Sequence, residues 1–127
     1  MELPNLSVDT IWAILNGDLE DEVVNALVWR SLNYSYDPDT DRWDASTAEP
    51  PWHEVEAPNF IGSRPDTIAL TRSIPKEYKQ LLKERLDFQG YQVHELTPQK
   101  TRRATAANWL LFRLTAQISP SGKDDSD

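Results

Sequence analysis

Three of the four side chains from residue 100 to residue 103 are cations, Lys100, Arg102 and Arg103, and they open the stretch KTRRATAANWLLF, which reads as the first turns of a helix. Aligned peptide dipoles leave a helix N-terminus partially positive, so cations gathered there call for an anionic answer. That answer has three possible sources: the acidic half of this chain, a partner, or a bound anion. Seven residues advance nearly two helical turns, which puts Arg102, Trp109 and Arg113 on one stripe and Arg103, Ala107, Leu110 and Leu114 on the next. If the second stripe is buried, the first borders it, where a guanidinium can stack on an indole and hold a carboxylate or a phosphate. Arg64, Arg72 and the run Lys76, Lys79, Lys83 extend the cationic set into a candidate partner- or anion-binding surface. Trp43 and Trp52 join the candidates because each lies in a turn-rich segment, where a large aromatic is either a lid over the core or an exposed anchor for a partner.

Other chemistries find less support. His53-Glu54 and His94-Glu95 lack the second histidine at helical spacing that a zinc protease needs, so no metal is expected. Read as part of a strand, His94 and Glu95 would point to opposite faces and share no site. Ser63 follows a glycine, but no nucleophile-elbow pattern surrounds it. The expectation there is a turn in which Gly62 permits an unusual backbone angle and Pro65 stiffens the exit, with Arg64 and Asp66 as a possible charge pair. The chain has no cysteine, which excludes disulfides, thiol catalysis and the usual structural zinc sites. Its glycines stand at 17, 62, 90 and 122, spacings from which neither a phosphate-binding loop nor a dinucleotide fingerprint can be assembled. No cofactor and no enzymatic activity are expected.

The net charge of −8 conceals a division. Residues 1–60 hold 13 acids and 2 bases, residues 61–118 hold 5 acids and 10 bases, and residues 119–127 add a further −2. Either the halves neutralise each other internally, or a basic face is left open to an acidic or phosphate-bearing partner. With 127 residues, 39% of them hydrophobic, the chain fits one soluble domain over residues 1–118, with 119–127 as a disordered acidic tail. No apolar run approaches the roughly 20 residues of a membrane span, and the N-terminus has no secretory pattern. A cytoplasmic location is expected, or a stromal one after processing. The two glycosylation sequons, at Asn5 and Asn33, are then chance matches.

The elements that must carry these residues follow from pattern. Ser7 and Asp9 cap a first helix that Gly17 stops, and Asp18 caps a second whose apolar stripe runs from Leu19 through Leu27 to Leu32. Glu20, Asp21 and Glu22 load its first turn and are a plausible partner for one of the arginines. Tyr34 and Tyr36, a turn at Asp37-Pro38-Asp39-Thr40 and a return through Arg42-Trp43 predict a hairpin, followed by an extended connector over 45–60. The alternation in residues 67–72 predicts a strand, Pro75 opens a helix that Gly90 ends, and Tyr91 and Val93 mark a last strand. Thr97 and Pro98 start a final helix that is apolar nearly all round and therefore buried. The predicted fold is α+β: a small mixed sheet, built from the hairpin and a strand-helix-strand unit, packed on a largely buried C-terminal helix, with two N-terminal helices.

Three stretches, DTIWAILNGDLEDEVVNALVW, NFIGSRPDTIALTRSIP and KTRRATAANWLL, together resemble an uncharacterised domain-of-unknown-function family of oxygenic photosynthetic bacteria and plastids. The likeness covers roughly residues 7–114 and departs in the 45–57 connector and the tail. It implies a setting rather than a mechanism, and it transfers no functional residue. The combined expectation is a non-enzymatic module that docks another protein as an accessory or regulatory factor. The alternative is binding of RNA or a phosphate-bearing small ligand at the basic face, although neither an RNA-recognition nor a DNA-binding motif is present.

Overall fold

The computed structural model describes residues 2–118. Ser7 accepts the backbone N–H of Thr10 at 3.2 Å and so opens helix α1, Val8–Leu15, whose Ile11, Ile14 and Leu15 turn inward. The chain reverses at Gly17, with φ at +82°, and enters α2, Asp21–Ser31, which buries Val24, Leu27 and Val28. Asp18 does not cap α2: Glu20 stands at the cap position, in extended backbone, without a side-chain cap bond.

Strands β1, Ser35–Asp37, and β2, Arg42–Asp44, pair antiparallel as expected, with Tyr36 opposite Trp43. The Asp37 carboxylate closes the turn by accepting the N–H of Asp39 at 3.0 Å and the hydroxyl of Thr40 at 3.1 Å. The connector that follows is less extended than its three prolines suggest, since it coils into 3₁₀ turns at Ala45–Thr47 and Trp52–Glu54. Tyr34 holds it down, donating from its hydroxyl to the carbonyls of Trp52 at 3.2 Å and Val55 at 2.7 Å. Burial, with Asp66 adding repulsion, pushes the Tyr34 phenol up to about 12.

The predicted strand-helix-strand unit is corrected. Residues 64–72 form helix α3, Arg64–Arg72, with Ser63 accepting the N–H of Asp66 at 3.4 Å and Pro65 in the first turn. The apparent alternation misled because two inward positions are threonines: Thr67, Leu70, Thr71 and Ile74 recur at helical spacing, with Leu70 and Ile74 buried. The helix expected from Pro75 is broken into a 3₁₀ turn, Lys76–Tyr78, and a short helix α4, Leu81–Leu86. Asn108 causes the break, because its amide donates to the Tyr78 carbonyl and accepts the Leu82 N–H, both at 3.0 Å. The second predicted strand is a 3₁₀ turn, Val93–Glu95, in which Val93 is 86% exposed and has no sheet to join. His94 and Glu95 therefore share one turn instead of lying on opposite faces of a strand. Among the described residues the sheet is the hairpin alone.

Helix α5, Pro98–Ile118, begins where Thr97 accepts the N–H of Lys100 at 3.1 Å, and at 21 residues it is about 30 Å long. It packs on α1, α2, α3 and α4, and Ala106, Ala107, Trp109, Leu110 and Leu111 lie in the core with Ile11, Leu27, Phe60 and Leu70. The α+β class, the two N-terminal helices, the hairpin and the buried C-terminal helix are as predicted. The expected acidic tail, residues 119–127, lies outside the described residues.

Candidate functional site

Arg103 is only 6% exposed, because α5 presents it to the junction of α1 and α2. Its guanidinium meets the Asp21 carboxylate at 2.7 Å and donates to the carbonyls of Ile14, at 3.0 Å, and Leu19. The first turn of α2 thus supplies the intramolecular anion that the sequence led us to expect. Arg113, on the neighbouring stripe, forks onto Glu49 with bonds of 2.9 and 2.8 Å, donates to the Ser31 carbonyl at 2.8 Å and lies over the Trp109 ring at 5.1 Å. Both arginines are therefore withdrawn from the candidate partner surface: the acidic half already holds them. Glu49 was missed, since nothing in a connector without periodicity marks one acid over another.

The two tryptophans separate. Trp52 is 8% exposed and packs edge-on against Phe60 with centroids 5.7 Å apart, so it is a lid over the core, and the anchor reading is corrected. Trp43 is half-buried, tilted against Trp29 and Tyr36 with centroids 5.7 and 5.2 Å away. It borders a cleft of about 340 Å³ whose charged lining is Glu22, Asp41, Glu56 and Arg42.

Gly62 also has a different task from the one expected. Its φ is not positive, and what it supplies is room: a Cβ there would run into the Asn59 amide. That amide oxygen accepts from Gly62 N at 2.8 Å and from the buried Asn25 at 2.9 Å, while Asn25 accepts the Phe60 N–H at 2.9 Å. Ser63 serves as a helix cap.

The cations left over converge more than their separation in the chain suggests. One cleft, of about 460 Å³, is formed by Arg64, Thr67 and Ile68 of α3 against Leu96, Pro98, Thr101 and Arg102. A second, of about 430 Å³, is formed by Thr71 and Ile74, by Lys79, Leu82, Lys83 and Phe88, and by Thr101, Ala104 and Asn108. Thr101 lines both, so the two clefts adjoin on α5 and form a groove that runs from α3 towards α4. Arg64 and Arg102 edge the first cleft, Lys79 and Lys83 the second, and neither lining contains a carboxylate or a histidine. Among the described residues none of these four cations forms an ion pair. Arg102 donates only to the Ile61 carbonyl at 3.2 Å, and Lys79 to the Thr71 carbonyl at 2.6 Å. The threonine hydroxyls are engaged locally, Thr67 with the Phe60 carbonyl, Thr71 with Thr67 at 2.9 Å and Thr105 with Thr101 at 3.2 Å. Ile68 and Leu96 in the first cleft, and Ile74, Leu82 and Phe88 in the second, add apolar surface beside these cations.

Lys100 and Arg72 stand apart from this groove. Lys100 lies over the Tyr91 ring at 5.2 Å, in a cleft it shares with Asp21 and Arg103, and Arg72 is exposed in the last turn of α3, where a cation suits the dipole. Of the sequence-derived candidates the structure unites Arg64 and Arg102, and it adds Lys79 and Lys83 from the lysine run.

These features define a small α+β domain built on one long helix, with a two-stranded hairpin at its side and a groove edged by unpaired cations. Residues 5–115 match the family model described as "Domain of unknown function (DUF1823)", and the chain belongs to that family. A protein whose structure is titled "Solution NMR structure of the protein" is 47% identical and has the same fold, with a TM-score of 0.78 over 94% of this chain and 100% of that one. No curated protein matches. Among the described residues no helix is long and apolar enough to cross a membrane.

Proposed function

We propose that the chain is a non-enzymatic protein-interaction module, an accessory or regulatory factor of a photosynthetic cell that works in the cytoplasm or, for plastid relatives, in the stroma. The observation that carries this reading is the groove beside α5: in a chain of net charge −8, its lining gathers four cations and, among the described residues, no acid and no ion pair to them. Apolar surface edged by charge is the anatomy of a docking surface, in which the apolar part contributes affinity and the charged rim orients the partner. A lining without carboxylate or histidine lacks the commonest general acids and bases, which favours binding over catalysis. The photosynthetic setting rests on the likeness of the three stretches quoted above.

Binding of RNA or a phosphate-bearing ligand is the second reading, and the same four cations favour it. It accounts less well for Ile68, Leu96, Ile74 and Phe88, which a phosphate would not engage.

The test is capture from a photosynthetic cell extract by the wild-type protein, by Arg64→Glu with Lys83→Glu, and by Arg42→Glu as a control outside the groove. A specific protein should be retained by the wild type and the control and lost by the double variant. Turnover of a metabolite by the purified protein, without any groove-dependent capture, would overturn the proposal.

A further inference from the structure

We infer that the occupant of this groove is an amphipathic α-helix of another protein, acidic at both ends and carrying two large apolar side chains one to two turns apart. The inference rests on the interaction reading and specifies its partner. The first cleft lies between α3 and α5, the second between α5 and α4 with the coil at residues 88–90, and no strand lines either, so an extended peptide would find no sheet edge to pair with. A helix brings its own backbone bonds and needs only a furrow for side chains. The lining of α5 from Pro98 to Asn108 is about 15 Å long, close to three helical turns. The two clefts that meet at Thr101 each accept one apolar side chain, Ile68 and Leu96 flanking the first, Ile74 and Phe88 the second. Carboxylates at the two ends of the ligand would meet Arg64 and Arg102 on one side, Lys79 and Lys83 on the other.

The acidic stretch after α5 does not supply such a segment. Residues 119–127, SPSGKDDSD, are acidic but contain no large apolar residue. A second copy offers acids on its hairpin, which is not a helix, and at the start of α2, where Asp21 is held by Arg103 and the apolar stripe, like that of α1, is in the core. The partner is therefore a different protein.

The probes are stapled helical peptides of about four turns, long enough to hold a helix under constraint. One carries glutamates at both ends and two leucines on one face, a second has the leucines moved to opposite faces, and a third has lysines for the glutamates; an oligoadenylate is the fourth ligand. The first peptide should bind and perturb the amides of Ile68, Thr101 and Thr105, and the second and third should not. Thr101 is exposed at the meeting point of the clefts, so Thr101→Glu should leave the fold intact and weaken that binding about tenfold or more through like-charge repulsion. Equal binding of the first two peptides would overturn the helical occupant. So would silence of every peptide towards a protein that still captures a groove-dependent partner, and the interaction reading would then survive. Tight, salt-sensitive binding of the oligoadenylate in preference to the peptides would overturn both.

Discussion

Arg103 and Asp21 form an ion pair whose two members are unequally placed. The guanidinium side chain is 7% exposed and the carboxylate 37%, so removal of one does not mirror removal of the other. Asp21→Ala strands a buried cation that retains only two carbonyls, and the loss expected from breaking such a pair is about 3 kcal/mol or more. Arg103→Met leaves a carboxylate that water can reach and two carbonyls to resolvate, for which about 1–3 kcal/mol is expected. Urea unfolding of the two variants checks the order, and a larger loss for Arg103→Met would contradict this account. The pair was legible in the sequence because each partner carried a local oddity, cations at a helix start and acids crowding another. Arg113 with Glu49 was half legible. Stacking on Trp109 followed from helical spacing, but the acid, 64 positions away in a connector, gave no signal.

At the scale of elements, the strand predicted at 67–72 gives way to side-chain chemistry that binary pattern does not record. Threonine counts as polar in a pattern, yet Thr67 and Thr71 tuck their hydroxyls onto carbonyls and sit on the inner face of α3. Ser63, Pro65 and Asp66 had announced a helix start all along, and that cap decided the outcome over a six-residue alternation. The interruption between the Lys76–Tyr78 turn and α4 was invisible for another reason, since its cause is Asn108, 26 positions beyond Leu82. Asn108→Ala leaves the Leu82 N–H and the Tyr78 carbonyl without partners, and a loss of about 1–3 kcal/mol is expected. Asn108→Asp, which keeps the acceptor and drops the donor, should restore protection of the Leu82 amide in hydrogen exchange while leaving the Tyr78 side loosened. No difference between the two variants at Leu82 would exclude Asn108 as the cause of the break.

For the molecule as a whole, the division between an acidic first half and a basic second half has two consequences in space. The deeper cations, Arg103 and Arg113, close on acids of the first half and draw α5 against α2 and the connector. The outer ones gather round the groove beside α5, whose lining includes no acid among the described residues. The class and the central place of the last helix could be read from composition and period; the groove could not, because it exists only once two helices distant in sequence lie side by side. The position of α5 at the end of the fold also sets a chronology. Four helices wait for a fifth that is synthesised after all of them, so the nascent domain stays unfinished until residues 98–118 arrive. A fragment ending at residue 97 should melt without a cooperative transition, and a separately synthesised peptide of residues 98–118 should restore one when mixed with it.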